Sequence, residues 1–140
     1  MVADIGDRSR RLWKSTESVT RVLYAAESQA ILGYVADASN RLRQYPHSHH
    51  VQVFSGHDVT IEPLLRTLGI SDFSFPHYAS RVIFELFAGP PPHSAYFRLL
   101  FNGMDRTKDI SFCSSSPCPL SLISPFLNEL MPAVKEACKV

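Results

Sequence analysis

Glycine is scarce in this chain of 140 residues, at six positions, and there is a single tryptophan, Trp13. No apolar run approaches the twenty or so residues needed to span a bilayer, and residues 1–14 lack the hydrophobic centre of a secretory signal. The formal net charge is +1, so there is no broad basic field of the kind that holds a nucleic acid. A short basic run, Arg8, Arg10, Arg11 and Lys14, reads as a solvated stretch. Internal repeats and a compositional break between domains are both lacking. Cysteine is sparse, and its three copies cannot pair completely. Cys113 and Cys118 flank Ser-Ser-Ser-Pro, a spacing that suits a small disulfide-closed loop or half of a zinc site. Structural zinc normally takes four ligands; the chain has no second Cys pair, and His47, His49 and His50 lie far off in sequence. What the chain does have is apolar content, 45% hydrophobic against 19% charged. A chain of this size buries about two-thirds of its unfolded surface in one core.

The pattern divides into a polar leader over residues 1–16 and one domain over residues 17–140. From Glu17 to Gln44 the period is helical, with Ile31, Val35, Ala38 and Leu42 in one stripe, Gly33 as the weak point, and Arg41 and Arg43 in the last turn. Tyr45 to His50 is a solvated, pH-sensitive turn. Val51 to Phe54 reads as a short buried strand. Ile61, Leu64, Leu65 and Leu68 then mark a core-facing helix, with Thr60 as its N-cap, Pro63 in its first turn and Gly69 as its stop. Val82 to Phe87 is apolar except at Glu85, which predicts a strand buried on both faces and a basic or polar partner for that carboxylate. Arg81, at its start, suits an edge ion pair or contact with an anion. Gly89-Pro90-Pro91-Pro92 ends the strand. Tyr96 to Phe101 is the next one, Asn102-Gly103 is a hairpin signal, and a weaker strand follows from Met104 to Lys108. Residues 119–138 hold a helix with Phe126, Leu127, Leu130 and Val134 apolar and Pro132 interrupting it.

The pair that carries chemistry is His57-Asp58. It falls where the strand hands over to the helix, beside unpaired N–H groups that favour an anion such as phosphate. An Asp before a helix also serves as a cap or Asx-turn residue. Around the pair, Gly56-His57-Asp58-Val59-Thr60, Leu64-Leu65 with Leu68-Gly69, Phe75-Pro76, Tyr78-Ala79-Ser80-Arg81-Val82-Ile83-Phe84-Glu85-Leu86 and Phe97-Arg98-Leu99-Leu100-Phe101-Asn102-Gly103 follow in order. This series resembles the C-terminal part of the histidine acid phosphatases, from about Val22 to Leu120.

The resemblance implies an α/β fold: the C-terminal part of a histidine phosphatase (phosphoglycerate mutase-like) fold, an open sheet with flanking helices and a β-hairpin. It implies phosphomonoester hydrolysis through a phosphohistidine, with Asp58 as proton donor to the leaving group and His57 in contact with phosphate. No cofactor and no metal are implied. The substrate would be a sugar phosphate, 2-phosphoxylose of the glycosaminoglycan–protein linkage region. The oxidising compartment of such enzymes, the secretory pathway or Golgi, favours a Cys113–Cys118 disulfide and leaves Cys138 free or paired elsewhere. The family nucleophile lies in an Arg-His-Gly motif, and no Arg here is followed by His. The chain is therefore expected to hold half an active site, to be inactive alone and to need the missing N-terminal half. The alternative is a non-catalytic phosphate-binding or interaction protein derived from the same fold.

Overall fold

The computed structural model describes residues 17–45, 49–89 and 95–137. The readings of residues 1–16, His47 and Cys138 lie outside them. Helix α1, Glu17–Ala36, is separated from α2, Ala38–Gln44, at Asp37. The break comes there and not at Gly33, because a short acidic side chain competes with the helix for local hydrogen bonds. Asp37 accepts from Asn40 Nδ2 at 2.7 Å and from Arg41 Nη1 at 3.1 Å. The buried stripe of α1 is Ala25, Ser28, Leu32 and Val35. It is centred on Leu32, and Ile31 is only partly buried.

Helix α3, Asp58–Thr67, starts three residues earlier than the sequence pattern suggests. Thr60 is thus the third helical residue, not the cap, and Pro63 lies in the second turn. Leu64, Leu65 and Leu68 are buried as their spacing predicts. Gly69 ends the helix at φ +93°, with Gly69 N–H donating to Arg66 O and Ile70 N–H to Leu65 O, both at 3.0 Å. That pair of bonds is the Schellman closure, which satisfies the last carbonyls. Helix α4, Ile123–Ala137, contains Pro132 without interruption, and it buries Ile123 and Val134. Helix α1 packs against both α3 and α4.

The strands β1 (Val82–Ala88), β2 (Ala95–Phe101), β3 (Met104–Asp105) and β4 (Cys118–Pro119) form one antiparallel sheet. β2 is central, with β1 along one edge and β3 and β4 along the other. Phe97 and Leu99 are fully buried, and burial of such side chains contributes about 1.5–3 kcal/mol each. That exceeds a typical single hydrogen bond, so β2 anchors the sheet to the helices. Asn102 and Gly103 both take positive φ, 51° and 87°, as a two-residue hairpin turn requires. The third strand stops at Asp105, where a 3₁₀ turn, Thr107–Asp109, begins.

Two further expectations are corrected. β1 is not covered on both faces: Val82, Phe84 and Leu86 pack on the core, whereas Ile83 and Phe87 are each 40% exposed. An apolar sequence reports affinity for cover but not which face receives it. The second correction is Val51–Phe54, which forms no strand. Val51 and Val53 are 87% and 77% exposed, because a strand exists only beside a partner and none lies there among the described residues. Phe54 alone finds apolar contact, edge-on to Tyr34 with ring centroids 5.5 Å apart. The α/β class, with an open sheet, flanking helices and a β-hairpin, is as expected.

Candidate functional site

His57 caps α3 in an extended conformation, φ −122° and ψ 178°, and Asp58 is the first helical residue. The His57 carbonyl accepts from Thr60 and Ile61 N–H at 2.9 and 3.2 Å. The His57 N–H in turn donates to Thr60 Oγ1 at 3.3 Å. Thr60 therefore ties back the entry to the helix from its third position. Gly56 precedes the pair because a Cβ there would come within 2.9 Å of Thr60 Oγ1. This packing leaves the imidazole of His57 exposed and Asp58 half-buried. Asp58 Oδ1 accepts from Val59 N–H at 2.9 Å. Its other oxygen makes no hydrogen bond among the described residues. The two side chains emerge at the positive end of the α3 dipole, where a phosphate would be favoured. Among the described residues no group of three or more His, Cys, Asp or Glu converges on a metal position.

The expected partner of Glu85 is Arg98, whose Nε and Nη2 lie 2.7 and 2.6 Å from Glu85 Oε2. Arg81 forms no ion pair among the described residues; its N–H donates to Asn102 Oδ1 at 2.9 Å. Cys113 and Cys118 are joined in a disulfide, with Cys118 on β4 facing Phe97 of β2.

A second cluster lies on the outer face of the sheet, in a hollow of about 670 Å³ lined in part by Phe87, Arg98, Asp105, Lys108, Asp109 and Ser116. Neither His57 nor Asp58 lines it. Burial alone would raise the Asp105 pKa, but hydrogen bonds from Ser116 and from the Thr107 hydroxyl and N–H, with the charge of Arg98, hold it below the usual carboxylate value. Arg106, nearly buried, bridges Asp109 and Asp72; the bond it donates to Asp109, against the opposing effect of burial, is the main cause of its raised pKa. Sequence reasoning missed this cluster. The only trace was the charge-rich run Asp105-Arg106-Thr107-Lys108-Asp109 after the Asn-Gly turn.

No family model and no solved structure matches this chain. Several curated proteins do. The 2-phosphoxylose phosphatase 1 of Danio rerio is 33% identical over 130 residues, 81% of this chain and 26% of that protein. The Homo sapiens protein of the same name is 42% identical over 89 residues, 56% of this chain and 18% of its own length. Lysophosphatidic acid phosphatase type 6 of Homo sapiens is 32% identical over 78 residues, 56% of this chain and 17% of that protein. The chain thus spans about a quarter or less of the length of the curated relatives it matches. With these matches and its α/β architecture, the chain is a relative of the histidine acid phosphatases.

Proposed function

We propose that His57 and Asp58 are the proton-donor half of a phosphomonoesterase site. The observation that carries this is their placement: an exposed imidazole and a half-buried carboxyl, adjacent, at the N-terminus of a ten-residue helix. There the helix dipole and the His57 imidazole act together on a phosphate dianion. Asp58, beside that phosphate, is the group placed to hand a proton to the departing alkoxide. The chain has no Arg followed by His, so the nucleophile must come from outside it. The substrate class is a phosphate ester, and the name shared by several relatives suggests 2-phosphoxylose of the glycosaminoglycan–protein linkage region. Such a substrate would put the complete protein in the secretory pathway or Golgi, in glycosaminoglycan biosynthesis. The Cys113–Cys118 disulfide supports an oxidising compartment.

The test joins this chain to an N-terminal half bearing Arg-His-Gly. Asp58→Asn should then slow release of a sugar alkoxide by roughly 10²–10⁴-fold, and release of p-nitrophenolate, which needs little protonation, far less. Equal losses for both would reduce Asp58 to a structural role. The 140-residue chain alone should not hydrolyse p-nitrophenyl phosphate, and turnover abolished by His57→Ala would refute the half-site reading. The absence of an Arg-His step also favours a second reading, phosphate binding without turnover. It predicts that inorganic phosphate shifts the His57 and Asp58 resonances of the isolated chain.

A further inference from the structure

The outer hollow is built differently from the His57–Asp58 site. Its walls carry two cations, Arg98 and Lys108, and two carboxylates, Asp105 and Asp109. An ion of either sign would meet one of these pairs as like charges. A polyol has no such conflict, since each hydroxyl both donates and accepts. The apolar part of the lining includes Phe87, 40% exposed, with the Arg98 guanidinium carbon 5.7 Å from its ring centroid; its exposed area can meet the C–H groups of a sugar. The volume, about 670 Å³, falls within the roughly 300–1,000 Å³ typical of small-ligand sites.

The polar groups other than Lys108 are already fixed. Ser116 Oγ and Thr107 Oγ1 donate to Asp105 at 2.6 and 2.5 Å, and the Thr107 N–H donates to it at 2.9 Å. Arg98 is held by Glu85, and Asp109 by Arg106. Lys108 makes no hydrogen bond or ion pair among the described residues. Groups positioned before binding lose little conformational freedom when a ligand arrives. The wall that supplies Ser116 and Pro117 is the loop closed by the Cys113–Cys118 disulfide. We infer that this hollow is a binding site for a neutral saccharide unit, packed against Phe87 and hydrogen-bonded between Asp105, Asp109, Arg98 and Lys108. The inference does not depend on the role of His57 and Asp58, and binding is measured without turnover.

The test is a nuclear magnetic resonance titration of the ¹⁵N-labelled 140-residue chain with xylobiose and with lactose. Inorganic phosphate and glucosamine serve as the anionic and cationic controls. Saturable shifts at Phe87, Arg98, Lys108, Asp109 and Ser116 with at least one neutral disaccharide, weaker with either control, are expected. Phe87→Ala should weaken that binding roughly threefold to tenfold, and Phe87→Tyr should preserve it. Reduction of the disulfide should weaken it as well. If Phe87→Ala fails to fold, Lys108→Gln on the exposed turn takes its place, with the same direction expected. Absence of shifts with both sugars, or tighter binding of phosphate or glucosamine at these residues, would overturn the assignment.

Discussion

Thr107 is fully buried, and its side chain joins the sheet to the hollow through one oxygen. That oxygen accepts the Leu99 N–H at 2.9 Å and donates to Asp105 Oδ1 at 2.5 Å. Thr107→Val keeps the shape and removes both bonds. The Leu99 N–H, inside the core, would then be unsatisfied, which costs about 1–3 kcal/mol. Loss of a bond to a charged group is worth about 1.5–3 kcal/mol in general. Asp105 is exposed and keeps its bonds from Ser116 and the Thr107 N–H, so the lower part of that range applies. Together these give about 2.5–5 kcal/mol. For a chain of this length, between the small and large domain cases, that corresponds to a fall in Tm of roughly 8–17 °C. The assay is a thermal melt followed by circular dichroism at micromolar concentration, checked by urea unfolding. Thr107→Ser, which keeps the hydroxyl, should lose much less. A Thr107→Val variant within about 0.5 kcal/mol of the parent, the usual range for inconsequential surface changes, would refute the two-bond account.

Three other outcomes follow from the geometry. The Asp105 carboxyl is held below its usual pKa, so its stabilisation is present above about pH 4 and lost as pH falls through the depressed value. Asp105→Asn should flatten acid destabilisation below about pH 4, and parallel pH–stability curves would argue against it. Intact-mass analysis after iodoacetamide without reductant should show one alkylated thiol, Cys138, with Cys113 and Cys118 protected by their disulfide; three would refute the pairing. The exposed Val51, Val53 and Phe54 should bind a hydrophobic dye or promote self-association. Replacing both valines with Thr should reduce the signal, and an unchanged signal would place its source elsewhere.

The features legible in the sequence are those set within a few residues of one another. Asn102-Gly103 specifies its turn through positive φ, Leu64, Leu65 and Leu68 share a face through helical period, and Glu85 stands out as the one carboxylate in an apolar run. Features that depend on distant neighbours were not legible. Val51 to Phe54 has the composition of a strand, but composition cannot supply the edge it would pair with. Thr107 falls within the weak strand expected from Met104 to Lys108, and only the fold brings its hydroxyl to the Leu99 N–H. At the site itself, the adjacency of His57 and Asp58 at a helix start was readable, but the exact start was not. The cap moved from Thr60 to His57 because the threonine hydroxyl bonds backward to the entering chain.

Asn102 has a consequence for how this sheet tolerates change. Its N–H donates to Arg81 O at 3.0 Å, its Oδ1 accepts from Arg81 N–H at 2.9 Å, and its Nδ2 reaches Ser80 Oγ at 3.3 Å. The strand pair is therefore fastened at the end where Val82 faces Phe101, and its alignment is counted from there. The connection between Ala88 and Ala95 leaves from the opposite end. Residues inserted into or removed from that connection would lengthen or shorten a tether without sliding one strand against the other. A change of length there should leave Phe97 and Leu99 facing the helices, because the register is set at the Asn102 end.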